Sequence, residues 1–547
     1  MKRSVMSLLV MAILAGVATA NNNAEPIRID QADLKKKVAM RLHGDRTGAC
    51  LAVAVIQGEH NSTVIDCARP DKMREITADT AFEIGSVSKT FNASLFALMI
   101  EQGKLKLADP LQQHLPKSIK APKFNGKQIT LQHLLTHTSG LPSIPSSWKI
   151  NAPDNPYSTL SAEDLYSALS KIELRRAPGT EFEYSNFAVM LLSDIIATRA
   201  GQEYEQLLQQ YIFKPLAMHN SFVNAKPDST MFAVGHLPGG TATSAWTFPK
   251  NTAGVGGIRA SVNDITRYVQ AGMGIGDPTT VALLAKTHKP ISDAVRPMAM
   301  GWMIANLRGQ NYLMHEGGTG GFSSFVAFNP ITKIGVVILS DTALTSTGGL
   351  SSLGLHLLDQ NIPLGKARRV VQPEQDFLDQ LSGTYILDGG MQMVLSHRNR
   401  TLYIKPSGQP EYEMAYDSEG DFYPVLFDAL LKPNANASGF AWMQGGGMVI
   451  AKRVDQTESR KVSIEELKSY EGIFELQPGF DLRIFVQADK LMAQATGQGA
   501  FELTVPTKDQ ATADAFSIII RFQRDANDLL TGILFSQAGH QIKGRKK

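Results

Sequence analysis

The chain has 547 residues, of which 54 are lysine or arginine and 51 are aspartate or glutamate, so its formal net charge is +3. This length exceeds what one hydrophobic core supports, and we expect about two to four domains. The near balance of charge argues against nucleic acid or an anionic membrane surface as a partner.

The N-terminus has the pattern of a secretory signal peptide. Lys2 and Arg3 precede a mostly apolar run over 5–17, and Ala18-Thr19-Ala20 supplies a small-x-small cleavage pattern. The alternative is a membrane anchor, but the run is short for a span and no later segment is long and apolar enough. Residues 1–20 are therefore predicted to be removed, which leaves a soluble protein in the periplasm or outside the cell.

A helix is predicted over 31–42, and a hairpin follows it. Two apolar or alternating runs meet at Gly58-Glu59, which suits a two-residue hairpin turn. In that register Cys50 falls opposite Cys67, and outside the cytoplasm such a pair can oxidise. Two free buried thiols are the alternative, and we favour the disulfide.

The stretch 81–90 contains a Ser-x-x-Lys motif formed by Ser86 and Lys89. Because the apolar run 91–100 has helical spacing, Ser86 is placed near the first turn of a buried helix, within reach of the Lys89 ammonium. A lysine whose pKa is lowered by burial can activate a serine nucleophile. The helix N-terminus also offers N–H groups to an oxyanion. The alternative is a capping serine beside a solvated lysine.

Two other patterns are set aside. A second Ser-x-x-Lys, Ser146 to Lys149, lies among prolines in a loop and lacks fixed helical geometry. A helix predicted over 129–137 places His133 and His137 one turn apart, as in a zinc helix. Glutamate does not follow His133 and no third ligand is apparent, so helix packing or capping is favoured over metal binding.

Tyr184-Ser185-Asn186 follows a turn at Pro178-Gly179 and precedes an apolar-faced helix over 187–199. Beside a lysine ammonium, the phenolate of Tyr184 is stabilised and can exchange protons with a serine. Asn186 can donate to a substrate carbonyl and accept from Lys89. The alternative is a helix-capping asparagine next to a half-buried tyrosine.

His315-Glu316-Gly317-Gly318 is predicted at the end of a strand. The glycines let a substrate backbone approach the strand edge and leave the N–H of Gly318 available to an oxyanion. The alternative is a glycine-rich hairpin with an exposed histidine. Strands over 312–315, 322–328 and 334–339 join the N-terminal hairpin in one antiparallel sheet, with a mainly helical lobe inserted between its halves.

Past a linker near 364–369 the chain repeats itself. Gly383-Thr384-Tyr385 and Leu402 recur as Gly472-Ile473-Phe474 and Leu491, an offset of 89 residues. Each copy alternates short apolar strands with turns, so two small antiparallel β-barrels over 375–457 and 461–547 are predicted after a catalytic domain over 21–365. Neither copy gathers a nucleophile, a base and an orienting group, which favours a structural or substrate-restricting role.

Together the three motifs resemble those of the serine penicillin-recognising superfamily, and in particular its class C β-lactamase-like branch, from about residue 31 to 360. The resemblance implies an α+β fold and a two-step acyl transfer at Ser86, with Lys89 and Tyr184 taking its proton. It also implies that the N–H groups of Ser86 and Gly318 hold the oxyanion and that Asn186 orients the substrate. His315 would support Tyr184 or a substrate carboxylate, and no metal or cofactor is called for.

One departure from that pattern bears on the substrate. Class C β-lactamases usually place Lys-Thr-Gly where this chain has His315-Glu316-Gly317. The sequence here is similar to that of D-aminopeptidases and esterases of the branch, and D-aminopeptidases also carry two lipocalin-like barrels. We expect a peptidase or amidase acting on D-amino-acid-containing, peptidoglycan-like peptides. An esterase or class C-like β-lactamase, and then a non-catalytic penicillin-binding or scaffold protein, are the alternatives. The oligomeric state is not indicated.

Overall fold

A computed structural model describes most of the chain beyond residue 28. The described ranges are 29–45, 47–69, 75–145, 147–148, 152, 154–291, 295–345, 348–387, 390–427, 429–434, 438–444, 447–454, 462–513, 518–525, 527–537 and 540–547. The predicted signal peptide over 1–20, and the Ser146 and Lys149 of the second Ser-x-x-Lys motif, lie outside these ranges. One compact unit contains the described residues through Arg369 together with Leu426 and Phe427, and a second contains Val370–Val425 and Ala429–Lys547.

The first unit is built on a six-stranded antiparallel sheet in the order β2-β1-β12-β11-β10-β9. Its strands are β1 (Cys50–Gln57), β2 (His60–Cys67), β9 (Met303–Leu307), β10 (Gln310–Gly318), β11 (Ser323–Asn329) and β12 (Ile334–Ser340). Smaller two-stranded ribbons are β3 (Ala81–Glu83) with β8 (Arg259–Ser261), β4 (Lys123–Phe124) with β5 (Lys127–Gln128), and β6 (Gly235–His236) with β7 (Ala242–Thr243). Because β1 pairs with β12, the prediction of one sheet assembled from both ends of the domain is confirmed.

The sheet is covered on both faces, which explains why β1 is apolar without interruption. Ala52 and Ala54 lie on one face of β1 and belong to the main core. Leu51 and Val53 lie on the other face and belong to a second core. A strand buried on both faces has no solvent side and therefore no polar alternation.

The predicted hairpin and its register are confirmed. Cys50 pairs with Cys67 across β1 and β2, and the turn lies at Gly58-Glu59. The two sulfur atoms form a disulfide in the structure.

Helices form the rest of the first unit. They are α1 (Gln31–Leu42), α2 (Ser88–Glu101), α3 (Leu131–Leu135), α4 (Ala162–Ser170), α5 (Asn186–Ala200), α6 (Tyr204–Leu208), α7 (Val262–Gly272), α8 (Pro278–Lys286) and α9 (Ser351–Leu358). In α2 every residue from Ser88 to Met99 is buried, polar ones included. A helix buried all round lies at the centre of its domain, so α2 provides a rigid base for the residues just before it.

The helix predicted over 129–137 is wrong in its length, because only Leu131–Leu135 is α-helical. Thr130 and His133 form a reciprocal capping box that sets the start, which confirms capping as the role of His133. The chain then leaves the helix, and His137 adopts a left-handed conformation with φ 55°. His133 and His137 therefore do not share a helix face.

The second unit contains helices α10 (Gln375–Leu381) and α11 (Ile464–Lys468) and two closed antiparallel barrels of eight strands each. The first barrel has β13 (Gly383–Leu387), β14 (Gln392–Arg398), β15 (Thr401–Pro406), β16 (Tyr412–Tyr416), β17 (Phe422–Pro424), β18 (Ala429–Pro433), β19 (Gly439–Gln444) and β20 (Gly447–Arg453). The second has β21 (Gly472–Gln477), β22 (Phe480–Gln487), β23 (Lys490–Ala495), β24 (Phe501–Thr507), β25 (Gln510–Ala513), β26 (Ile518–Arg524), β27 (Leu530–Gln537) and β28 (His540–Lys546).

The sequence repeat coincides with the structural one. Gly383 and Gly472 each begin the first strand of a barrel, and Leu402 and Leu491 are buried on the third strands β15 and β23. Alternate residues along these strands face a buried interior, as closed barrels of this size require. The prediction of two barrels is confirmed.

Candidate active site

Ser86 and Lys89 are in direct contact at the start of α2. Ser86 lies in a single 3₁₀ turn, Gly85–Val87, and the Lys89 Nζ donates to its Oγ at 2.8 Å. The same ammonium donates to the carbonyl of Val255 at 2.6 Å. Lys89 is only 3% exposed, and burial lowers its pKa well below the usual lysine value. A lysine in this setting exists as a neutral amine far more readily than one in water, so it can accept a proton from a serine.

Tyr184 lies beside this pair. The Lys89 Nζ is 5.0 Å from the centre of its ring, and its hydroxyl is hydrogen-bonded to Ser86. Burial raises the pKa of Tyr184 above its ordinary value, and the bond to Ser86 opposes that shift only partly. Tyr184 is therefore a neutral phenol at neutral pH, able to give a proton and take one back.

Asn186 begins α5 and has a different partner from the one expected. Its Nδ2 donates to the Tyr157 hydroxyl at 3.3 Å, and its Oδ1 is buried without a hydrogen-bond partner. The expected bond from Lys89 to Asn186 is not among the contacts of the described residues, because the Lys89 ammonium is directed at Ser86 and Val255. Burial raises the pKa of Tyr157 to about 12, so its hydroxyl also stays protonated.

The edge of β10 brings its glycines to Ser86. Pairing with β9 runs from Gln310 to Met314, and beyond it the strand edge packs against Gly85. A Cβ at Gly85 would lie 2.6 Å from the nitrogen of Gly318, and one at Gly317 would lie 2.1 Å from the carbonyl oxygen of Ile84. Gly85 also has φ 48°, so this junction requires glycine.

The N–H of Gly318 points away from β11, toward the edge of β10 that packs against Gly85. The neighbouring Thr319 N–H donates to the Phe322 carbonyl at 3.0 Å, and Gly318 is paired with Ser323. Hydrogen-bonded and non-hydrogen-bonded pairs alternate along an antiparallel ladder, so Gly318 directs its N–H away from β11. Gly318 and Ser86 line the same pocket, which makes this N–H a candidate oxyanion donor.

His315 is buried near Lys89 and uncharged at neutral pH. Burial, and then the Lys89 charge, lower its pKa to about 4. Its Nδ1 is 2.7 Å from the carbonyl oxygen of Glu316, a separation that requires the proton on Nδ1. The buried Glu316 Oε1 has no hydrogen-bond partner, and burial raises the pKa of this carboxyl to about 7.

A small pocket opens beside the Ser86 hydroxyl. Besides Ser86, Asn186 and Gly318 it is lined by Tyr157, Trp246, Phe248, Val255, Gly256 and Thr319. Tyr157 stacks on Phe248 at 4.8 Å and meets Trp246 edge-on at 5.4 Å between ring centres. The lining residues thus combine aromatic rings with neutral hydrogen-bonding groups.

A buried ion pair holds one wall of this pocket. Glu83 and Arg259 face each other in the β3–β8 ribbon, and the Glu83 carboxylate accepts the Trp246 N–H at 2.8 Å. Arg259 also donates to the carbonyl of Trp246. The pair therefore fixes the backbone on both sides of Trp246.

Sequence reasoning brought together Ser86, Lys89, Tyr184 and the 315–318 segment, but it missed Tyr157, Trp246 and Phe248. These residues sit in loops, and no short motif marks them. The sequence suggests only metal binding, helix packing or capping for His137, although His137 stacks on Tyr184 with ring centres 4.3 Å apart. Within the described ranges, no group of three or more histidine, cysteine, aspartate or glutamate side chains is arranged to hold a metal ion. None of the helices described is both long and apolar enough to cross a membrane.

Known proteins resemble the first unit in sequence. The family model described as Beta-lactamase matches residues 32–351. The D-alanyl-D-alanine-carboxypeptidase/endopeptidase AmpH of Escherichia coli strain K12 is 28% identical over 378 residues, which cover 64% of this chain and 94% of that protein. A beta-lactamase of Pseudomonas fluorescens is 29% identical over 338 residues, covering 54% of this chain and 88% of its own length.

Two solved structures show the same fold. A beta-lactamase/D-alanine carboxypeptidase from Yersinia pestis, complexed with citrate, has a TM-score of 0.51 at 21% identity and covers 60% of this chain and 98% of its own. The octameric penicillin-binding protein homologue from Pyrococcus abyssi has a TM-score of 0.51 at 20% identity, covering 77% of this chain and 100% of its own.

Proposed function

The chain belongs to the beta-lactamase family of serine hydrolases, and from that premise we propose that it works through an acyl-enzyme on Ser86. The observation that carries the proposal is the 2.8 Å contact between the Ser86 Oγ and a Lys89 amine whose pKa burial has lowered. A nucleophile in contact with a base that can be deprotonated is the minimum requirement for this chemistry.

In the first step Ser86 attacks a carbonyl carbon while its proton passes to neutral Lys89. The pKa values favour Lys89 over Tyr184 as the base, because burial lowers the former and raises the latter. The tetrahedral intermediate collapses by expelling the amine or alcohol, which takes a proton from the Tyr184 hydroxyl. Tyr184 then regains a proton from the Lys89 ammonium, so the acyl-enzyme forms with its proton count balanced.

In the second step water attacks the acyl carbon and gives its proton to neutral Lys89. The Lys89 ammonium then returns that proton to the Ser86 Oγ, which leaves as a hydroxyl and restores the starting protonation states. The N–H groups of Ser86 and Gly318 stabilise the oxyanion in both steps. The outward direction of the Gly318 N–H supports this role. Asn186, held by Tyr157, orients the substrate beside the nucleophile.

For the substrate we propose a peptide or amide that contains a D-amino acid. The neutral His315 supports a site without the fixed positive charge that a lysine gives class C β-lactamases at this position. The name of the relative AmpH also describes an enzyme acting on D-alanyl-D-alanine. The neutral, aromatic lining of the pocket suits a small peptide, with no metal or cofactor involved.

An esterase or weak β-lactamase is the second candidate. It is favoured by the beta-lactamase among the relatives and by the aromatic wall of Tyr157, Trp246 and Phe248, which suits an apolar ester. We further propose that the protein is exported after cleavage at Ala20. The two barrels, over about 375–457 and 461–547, restrict the choice of substrate and perform no chemistry.

A substrate panel tests the proposal. The mature chain is incubated with D-alanyl amides and D-alanyl-D-alanine peptides, with the L-isomers, with short-chain esters and with nitrocefin, and Ser86→Ala serves as the control. We expect D-specific turnover that Ser86→Ala abolishes. Rapid nitrocefin hydrolysis without D-peptide turnover would contradict the proposed peptidase activity and indicate a β-lactamase. If none of these compounds acylates Ser86 of the wild-type chain, the non-catalytic alternative is indicated.

A further inference from the structure

His137 occupies an unusual backbone position beneath the active site. It is 3% exposed and has φ 55°, a left-handed conformation that few residues other than glycine adopt, histidine being among those enriched in it. Its carbonyl accepts the N–H of Glu183 at 2.8 Å. Strained residues persist where the surrounding structure over-determines them, and they cluster at functional sites.

The imidazole of His137 holds the Tyr184 segment in two ways. Its Nδ1 accepts the backbone N–H of Ser185 at 3.1 Å, so the neutral ring must carry its proton on Nε2. Its face stacks on the Tyr184 ring with centres 4.3 Å apart and planes 30° apart. The edge of Phe182 completes the enclosure, with ring centres 5.8 Å apart. One side chain thus fixes both the Tyr184 ring and the peptide bond that follows it.

We propose that His137 is a positioning residue that acts through Tyr184, keeping the phenol hydroxyl directed at Ser86 for proton transfer. The inference rests on the proposed role of Tyr184 in the acylation of Ser86. A shift of the phenol by a fraction of an ångström would lengthen the contact through which the proton moves, and misplacement on that scale costs large factors in rate.

The surroundings of His137 keep it neutral while it does so. Burial is the largest cause that lowers its pKa, and the charges that Lys89, His315 and Arg296 carry when protonated add to it, whereas the bond from Ser185 opposes the shift. A neutral ring adds no charge beside Lys89, so the lysine can still lose its proton. Stacking and backbone anchoring are therefore achieved without altering the charge of the base.

The test is a double-mutant cycle on the full chain, read as the rate of Ser86 acylation by a penicillin, whose ring nitrogen must take a proton as the C–N bond breaks, between pH 5 and 10. His137→Asn keeps an acceptor for the Ser185 N–H and tolerates the left-handed backbone, but it removes the stacked ring. We expect it to lower the maximal acylation rate constant about tenfold or more, with little change in reagent binding, and to shift the pH dependence. In a Tyr184→Phe background the same change should cost little more, because the hydroxyl to be positioned is gone.

Each outcome decides between the two claims. Additive losses, or a His137→Asn chain with a lower melting temperature but the wild-type acylation rate and pH profile, would overturn the positioning role. Tyr184→Phe reacting at the wild-type rate would instead overturn the proposed function of Tyr184. If His137→Asn does not fold, His137→Gln supplies the acceptor without the ring and is judged by the same criteria.

Discussion

The buried candidate site of the first unit and the surface ion pairs of the barrels shift the pKa values of their ionisable groups in opposite directions. In the first unit, burial shifts Lys89, His315 and Glu316 toward their neutral forms. In the barrels, surface ion pairs shift groups toward their charged forms, as for Arg398 with Glu411. Groups that stay charged at a surface support solubility. Groups whose charged form is destabilised in a pocket have shifted pKa values, which is typical of residues that exchange protons in a reaction. The comparison supports our proposal that catalysis belongs to the first unit and that the barrels have a supporting role.

The largest effect is expected from Lys89→Arg. Arginine keeps a positive charge near Ser86 but cannot lose its proton in a protein, so it cannot serve as the base. We expect the reaction of Ser86 with a fluorophosphonate, which forms a phosphonate ester and releases fluoride, to slow by about 10²–10⁴-fold, and the rate of labelling measures this change. Lys104→Arg, at an exposed position, is the matched control and should react like the wild type. Labelling of Lys89→Arg at the wild-type rate would show that the buried lysine is not the base for Ser86.

A pH-dependent effect on stability is expected from Glu316→Gln. Burial raises the pKa of Glu316 from 4.5 to about 7, so the folded state resists ionisation that the unfolded chain undergoes freely. The wild type therefore loses stability as the pH rises from about 4.5 to 7. The full cost above that range is about 3 kcal/mol, and Glu316→Gln removes it.

Urea unfolding of wild type and variant at pH 4.5 and 7.5 measures this difference. The variant should gain stability relative to the wild type only at the higher pH. Glu411→Gln in the first barrel is the control of opposite sign. Its carboxyl has a lowered pKa, so the variant should lose a small amount of stability at the higher pH. If both variants change the free energy of unfolding in the same direction at the higher pH, the opposite pKa shifts of Glu316 and Glu411 are contradicted.

A smaller effect, on selectivity, is expected from His315→Lys. The pKa of His315 is lowered to about 4, so a lysine introduces positive charge that can hold the carboxylate of a β-lactam. We expect the ratio of kcat/KM for anionic β-lactams to that for D-alanyl amides to rise about tenfold, the scale of one charged hydrogen bond. His315→Gln adds no charge and should leave the ratio unchanged. A rise of the same size in both variants would contradict the electrostatic explanation.

The smallest effect is expected from removing the barrels. A chain ending after Arg369, where the compact units divide, keeps every residue of the candidate site. If it folds by circular dichroism and cooperative melting, acylation of Ser86 should stay within about threefold of the full chain, because the reacting groups are unchanged. The relative rates on peptides of different length should change. A folded, inactive chain would show that the barrels contribute to the chemistry.

Much of this organisation follows from the sequence because local signals and distant contacts agree. The turn at Gly58-Glu59 sets the register that pairs Cys50 with Cys67, and the 89-residue repeat marks the two barrels. Ser86 and Lys89 are three residues apart, so helical geometry alone brings them together. The helix predicted over 129–137 is too long because its apolar spacing continues past Leu135, where the α-helix ends.

The rest of the site depends on tertiary contacts that no spacing records. Tyr157 reaches Asn186, and Trp246 is held by Glu83 and Arg259, across loops whose paths the sequence does not specify. The bond expected from Lys89 to Asn186 is replaced by one to the carbonyl of Val255, a backbone atom that any residue type would supply. Backbone partners of this kind leave no mark in a sequence.

The most direct measurement is intact-mass analysis of the full chain after incubation with a fluorophosphonate or a penicillin, followed by peptide mapping. We expect one adduct per chain, located on Ser86 and absent from Ser86→Ala, with no labelling of either barrel. An adduct that persists in a folded Ser86→Ala chain, or one that maps beyond Arg369, would contradict this expectation.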